Sequence, residues 1–264
     1  MTRLSLVAVI EASTVTGPAK NLIEFCSLAR CHDLPGLPRV DASIVTYVRG
    51  DRSTNSFLTA VNNAGIPVAV IEERGAFDTR VLGALRRIVE QRAPHILQTH
   101  NIKSHFLAKL SGIRKRGHWI AFHHGYTSTD FKMLAYNQLD RWSLPSAERV
   151  ITVCQPFAHE LQRIGVPPEK LSVLHNSVRP MTPADPQAVQ ALRESLGIPE
   201  HTRVILSAGR LSREKGHLDL IEAAALLAQN SSLDWKLVIA GAGPDQDRLA
   251  QSIARHKLAE RVLL

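Results

Sequence analysis

"NSVRPMTPADPQ", residues 176–187, interrupts an otherwise regular alternation of apolar segments, and its reading decides the fold. Pro180, Pro183 and Pro186 fall within seven residues. Proline fixes φ and lacks an amide proton, so the stretch predicts an extended connector rather than a helix or a central strand.

On its amino-terminal side, strands are predicted near Leu4–Ile10, Ala42–Val48, Val68–Ile71, Ile96–Thr99, Trp119–His123, Val150–Val153 and Leu171–Leu174. Helical patterns fall between them, as with Val81, Leu82, Leu85, Ile88 and Val89 in "TRVLGALRRIVEQRA". Such alternation indicates parallel βαβ units with helices on both faces of an open sheet. Beyond the connector it restarts, with a helix near Gln187–Leu196, a strand at Arg203–Ala208, a helix to about Ala228, a strand at Trp235–Ala240 and a helix from about Pro244. The expectation is an α/β protein of two Rossmann-like, doubly wound parallel-sheet domains, residues 1–180 and 181–264. The second is short for its type and reads as incomplete. Ligands of such sheets sit at the carboxyl ends of the strands.

Composition bounds the function. A chain that is 44% hydrophobic and 21% charged is a globular one with a sizeable core, and no apolar run reaches the length of a membrane span. Three cysteines, Cys26, Cys31 and Cys154, are an odd number without CxxC spacing, which suggests neither a disulfide framework nor a zinc site and fits a cytoplasmic setting. Residues 1–180 hold 22 Lys and Arg against 14 Asp and Glu, whereas residues 181–264 hold 10 of each. The basic excess suits a solvated surface or approach to an anionic membrane. Nucleic acid ranks last, because the basic residues are scattered and no nucleic-acid motif accompanies them.

The stretch "SAGRLSREKGHLDLIEAA", residues 207–224, places Arg210, Arg213 and Lys215 at the start of an amphipathic segment with Leu218, Ile221 and Ala225 on one face. Cations are disfavoured at a helix N-terminus unless something negative sits among them. A Walker A loop fails, since Glu214 stands where the second glycine belongs. The dinucleotide fingerprint fails at "GAGPDQ", where Gln246 occupies the third glycine position, and again in the first βα turn, which offers only Gly17. What remains is an anion site in which Gly209 admits the ligand, amides at the helix start point at it and Arg210 and Lys215 add charge, set against an ordinary solvated surface offset by Glu214.

"ILSAGRLSREKGHLDLIEAAALLAQ" followed by "WKLVIAGAGPDQDRL" resembles the donor-binding signature of the family 4 glycosyltransferases, retaining enzymes of the two-domain GT-B fold. "TGPAKNLIEFCSLAR", "ILQTHNIKSHFLAKLSG", "HHGYTSTDFKMLAYNQLDRWSLPSAERVITVC" and "GVPPEKLSVLHNSV" resemble its acceptor-side domain, in the expected order. The resemblance implies transfer of a sugar from a nucleotide-diphosphate sugar to a glycan or lipid-linked acceptor, as in surface-polysaccharide assembly, in the cytoplasm or at the inner membrane face and without a cofactor. It assigns the diphosphate to Arg210, Lys215, Gly17 and Gly209. It makes His124, in "WIAFHHGY", the catalytic candidate near the transferred sugar, with His123 turned to the opposite side of the strand. His100 and Asn176 are acceptor-side candidates, although Asn176 lacks the glycine that usually follows it in relatives. A metal site from His100, His105, His123 and His124 is not expected, for want of HExxH spacing or a nearby acidic partner. The family's pair of glutamates separated by seven residues has no counterpart in these 264 residues, so this chain is expected to be inactive or very weak. A sugar-nucleotide epimerase of the same layout and a non-catalytic nucleotide-sugar binder are the alternatives.

Overall fold

The computed structural model describes residues 3–31, 36, 38–75, 78–126, 131–177 and 181–264. Its contacts divide the chain into two units, Met1–Arg179 and Pro180–Leu264. Residues 178–180 of the expected connector lie outside the described residues.

The first unit alternates strand and helix: β1 (Arg3–Ile10), α1 (Gly17–Cys31), β2 (Arg39–Val48), α2 (Ser56–Asn63), β3 (Val68–Glu72), α3 (Arg80–Arg92), β4 (Ile96–Thr99), α4 (Ile102–Leu110), β5 (His118–His123), α5 (Phe131–Ser143), β6 (Arg149–Thr152), α6 (Gln155–Arg163) and β7 (Leu171–Val173). The strands form one sheet in the order β3-β2-β1-β4-β5-β6-β7, every neighbouring pair parallel. Strand alternation explains the double winding. Val7 and Val9 of β1 join a core with Val81, Leu85 and Val89 of α3 and with Leu107 of α4. Leu6, Ala8 and Ile10 point the other way, into a core with Ala19, Leu22 and Cys26 of α1 and Phe57 and Val61 of α2. A fully buried aliphatic side chain contributes about 1.5–3 kcal/mol, so β1 anchors both layers at once. The order of winding reverses between β1 and β4, which opens a crevice at their carboxyl ends.

The second unit comprises α7 (Pro186–Ser195), β8 (Arg203–Ala208), α8 (His217–Asn230), β9 (Trp235–Ala240), α9 (Gln246–Arg255) and β10 (Val262–Leu263), with sheet order β10-β9-β8. Trp235, Leu237 and Ile239 of β9 pack with Ile221, Ala224 and Ala225 of α8 and Leu249 and Ile253 of α9. Val204, Ile205 and Leu206 of β8 are exposed.

The start of α8 corrects the sequence reading. After β8 the chain runs through Gly209–Ser212 into a 3-10 turn at Arg213–Lys215, then through Gly216 at φ 67°, before α8 begins at His217. The left-handed glycine ends the 3-10 turn, so the cations stand in the loop ahead of the helix. The first turn of α8 carries Asp219, the sign that the helix dipole favours.

Candidate functional site

The carboxyl ends of β1, β4 and β5 enclose a cleft of about 310 Å³ within the first unit. Two asparagine caps fasten the loop after β1. Asn101 caps α4 by accepting from the Ser104 amide at 3.1 Å and donates to the Glu11 carbonyl at 2.9 Å. Asn55 caps α2 by accepting from the Leu58 amide at 2.9 Å and donates to the Ala12 carbonyl at 3.2 Å. Each cap thus satisfies one helix-start amide and also ties down the loop that leads to Gly17.

His100 and His124 come together on this cleft. The His100 ring stacks on Phe122 at 4.7 Å, and His124 lies in the same near-parallel array, 6.0 Å from His100. His123, from the opposite face of β5, packs edge-on against Tyr126 at 4.5 Å and Phe157 at 5.8 Å. The expectation that only one of the two histidines meets the cleft needs correcting: both contribute to its wall.

Beneath these rings lies a buried polar set. Trp119 Nε1 donates to Thr99 Oγ1 at 2.9 Å, and Thr99 Oγ1 lies 2.6 Å from His105 Nδ1. Asp140 of α5, 1% exposed, has its carboxylate 3.8 Å from His105 Nε2 and 3.4 Å from His123 Nδ1. Burial raises the Asp140 pKa, but His105, His123 and Tyr126 together outweigh it and hold the carboxyl below its usual range. Burial lowers His105 and takes His100 well below 6.5; it lowers His124 to about 4, with His105 and His123 adding to the effect. These three imidazoles are therefore neutral near pH 7. Asp140 is also the acidic partner that the sequence reading did not find near the histidines. Among the described residues, however, no group of three or more His, Cys, Asp or Glu is arranged to hold a metal ion.

The other expected residues are placed separately. Gly17 begins α1, is exposed, and would meet nothing within 4 Å if it carried a Cβ. Asn176 follows β7 outside the cleft wall and accepts from Asn21 Nδ2 of α1 at 3.2 Å. In the second unit Arg210 and Lys215 are exposed, and no hydrogen bond or ion pair holds either side chain among the described residues. Glu214, held below its usual pKa chiefly by Ser212, lies within electrostatic reach of both. The amides of Gly209, Leu211, Ser212, Lys215 and Gly216 already donate to backbone carbonyls.

Gly241 and Gly243 have a role the sequence reading missed. A Cβ on Gly241 would strike the Gly209 carbonyl, and one on Gly243 would lie 2.7 Å from the Leu211 carbonyl carbon. The loop after β9 thus lies directly against the loop that carries Arg210, stitched by Gly209 N–H to Ala240 O at 2.9 Å and Leu211 N–H to Ala242 O at 3.0 Å. Asp140 was missed too. Its signal is a run of polar residues, Asn137, Asp140 and Ser143, on the buried stripe of α5 where apolar residues are usual.

Residues 37–181 match the model of Glycosyltransferase Family 4, and residues 189–264 match that of Glycosyl transferases group 1. The chain is 23% identical over 234 residues to the alpha-maltose-1-phosphate synthase of Mycolicibacterium smegmatis, covering 83% of this chain and 54% of that protein. It is 30% identical over 141 residues to an N-acetylgalactosamine-N,N'-diacetylbacillosaminyl-diphospho-undecaprenol 4-alpha-N-acetylgalactosaminyltransferase of Campylobacter jejuni, covering 53% of this chain and 35% of that one. The chain thus spans about half, or less, of the length of these relatives. In fold it is similar to HepE of Anabaena in complex with UDP and glucose, with a TM-score of 0.74 at 19% identity over 98% of this chain and 68% of that one. Parallel α/β units in this order, with a family match that spans more than half of the sequence, mean that the chain belongs to glycosyltransferase family 4.

Proposed function

We propose that this chain carries the acceptor-side unit and the diphosphate-binding loop of a retaining glycosyltransferase, which moves a sugar from a nucleotide-diphosphate sugar to a glycan or lipid-linked acceptor. The observation that carries the reading is the cleft at the switch point of a family 4 sheet, walled by His100 and His124. HepE, with its UDP and glucose, and the Campylobacter enzyme, with its diphospho-undecaprenol substrate, support it by similarity.

In this reading Arg210 and Lys215 neutralise the charge that grows on the leaving diphosphate, while Gly209 leaves room for it. Both cations are unpaired by side chains of their own unit among the described residues, so binding the diphosphate breaks no ion pair. His124, neutral near pH 7, offers one N–H and one lone pair, and positions a sugar hydroxyl by hydrogen bonding rather than by charge. His100 supports its ring, and Asn176 contributes from the end of β7 beside α1. No cofactor is called for.

The basic excess of residues 1–180 suits an acceptor presented at an anionic membrane surface. Among the described residues no helix is long and apolar enough to cross a membrane. Transfer of radiolabelled sugar from a nucleotide-sugar to an oligosaccharide pool tests the function. In the weak transfer expected of this chain, Arg210→Ala and Lys215→Ala should each lower kcat by about 10²-fold. Transfer that is unchanged in both variants would contradict it.

A further inference from the structure

We infer that Asp140 is a positioning residue for the proposed transfer: from α5 it holds His123 and Tyr126, which flank the His124–Gly125 step, and through them it sets the direction of the His124 ring. The inference rests on the reading of His124 as a group that meets the sugar, and it adds a residue that acts through its neighbours.

The His124 ring has little of its own to hold it. Its Nε2 is buried without a hydrogen-bond partner, and the ring stacks only widely, 6.0 Å from His100 and 6.5 Å from Phe122. Next comes Gly125, whose φ of 97° lets the chain turn but which brings no side chain to fix the turn. The direction of the ring therefore depends on how firmly the residues on either side are held. Those residues are His123 and Tyr126.

Both converge on Asp140. His123 Nδ1 lies 3.4 Å from its carboxylate, and the His123 and Tyr126 rings pack edge to face at 4.5 Å. The Tyr126 hydroxyl is within hydrogen-bonding reach of Asp140, and the guanidinium of Arg141, the next residue of α5, lies 5.6 Å from the centre of the Tyr126 ring. An ionised carboxylate only accepts, so an imidazole N–H and a phenol are drawn toward it as donors. On its other side the carboxylate is 3.8 Å from His105 Nε2, and His105 is in turn tied to Thr99 of β4 at 2.6 Å. Asp140 is thus gripped from two directions. At 1% exposure its charge is stable only while these partners stay in place, which fixes the partners as well.

Ring-proton NMR of the histidine-labelled chain at neutral pH tests this. Stacking with His100 and Phe122 should hold the His124 ring protons away from their free-histidine positions. The near-isosteric Asp140→Asn should move them toward those positions, whereas Val89→Ala, which weakens the same unit's core from α3, should leave them in place. Tyr126→Phe, which removes one contact of Asp140 without altering α5, should move them in the same direction, and it decides the matter if Asp140→Asn does not fold. In the transfer assay Asp140→Asn should lower kcat about tenfold with the nucleotide-sugar KM unchanged, as misplacement of a reacting group does, and should add nothing in a His124→Ala background. Resonances of His124 that stay in place in both variants, or that move equally in Val89→Ala, would overturn the inference, and so would kcat losses that multiply. Transfer untouched by His124→Ala would instead remove the proposed role of His124, and the ring-proton comparison would stand apart from it.

Discussion

A Cβ added to Gly241 would collide with the carbonyl oxygen of Gly209, so the loop after β9 is pressed backbone to backbone against the loop that carries Arg210. Backbone cannot swing aside as a side-chain tip can. Gly241→Ala and Gly243→Ala should therefore each cost about 1–3 kcal/mol, as overpacking in a dense interior does. Urea unfolding followed through Trp235, in the same core, checks this. Midpoints equal to wild type would mean that the loops are not in contact.

Gly125 is constrained twice, by its φ of 97° and by Phe157, whose Cε2 would lie 2.6 Å from an added Cβ. Gly125→Ala should destabilise by about 1–3 kcal/mol from backbone strain, with the steric clash added. Phe157→Leu should then cost less in the Gly125→Ala background than in wild type, since it relieves the clash. Equal costs in both backgrounds, in a double-mutant cycle, would refute the contact.

Thr99 links the buried polar chain, accepting from Trp119 and sharing a hydrogen bond with His105. Thr99→Val keeps the shape and leaves two buried polar atoms unpaired, at a cost of about 1–3 kcal/mol. Thr99→Ser keeps the hydroxyl and should retain the blue edge of the Trp119 fluorescence that Thr99→Val shifts. Equal stability for valine and serine would remove the hydrogen-bond argument.

The buried histidines set the sign of the acid response. Below about pH 6.5 the unfolded chain binds protons that folded His100, His105 and His124 refuse, so stability falls as pH drops. The part due to His124 is lost between about 6.5 and about 4 and levels off below that. Asp140, lowered in the folded state, adds its own loss as pH falls below its unfolded value of 3.8. Urea midpoints should decline steadily from about pH 7 to pH 4, and the His124 ring protons should not titrate between about pH 5.5 and 8. A midpoint independent of pH would contradict this picture.

The strands of both units were legible in sequence because each is a short apolar run bounded by turn residues. Arg203–Ala208 and Trp235–Ala240 agree to the residue, and β2 and β3 within three. The position of His100 and His124 on the cleft wall was legible because strand ends are where clefts of open sheets lie. Asp140 was not, since it comes from a helix seventeen residues past His123 and only the fold brings the two together. The start of α8 was misplaced because Gly216 interrupts a pattern whose hydrophobic period runs on through it. Gly241 and Gly243 were tested as phosphate-binding glycines, whereas their partners are the backbone atoms of another loop, a contact that no local pattern encodes.

The central claim is that Arg210 and Lys215 hold a diphosphate. Phosphorus NMR of UDP titrated with this chain addresses it directly, with the Arg210→Ala/Lys215→Ala double variant alongside. Both phosphorus resonances should shift or broaden with the wild-type chain, and the effect should be lost in the double variant. Titrations that coincide for the two proteins would contradict the assignment.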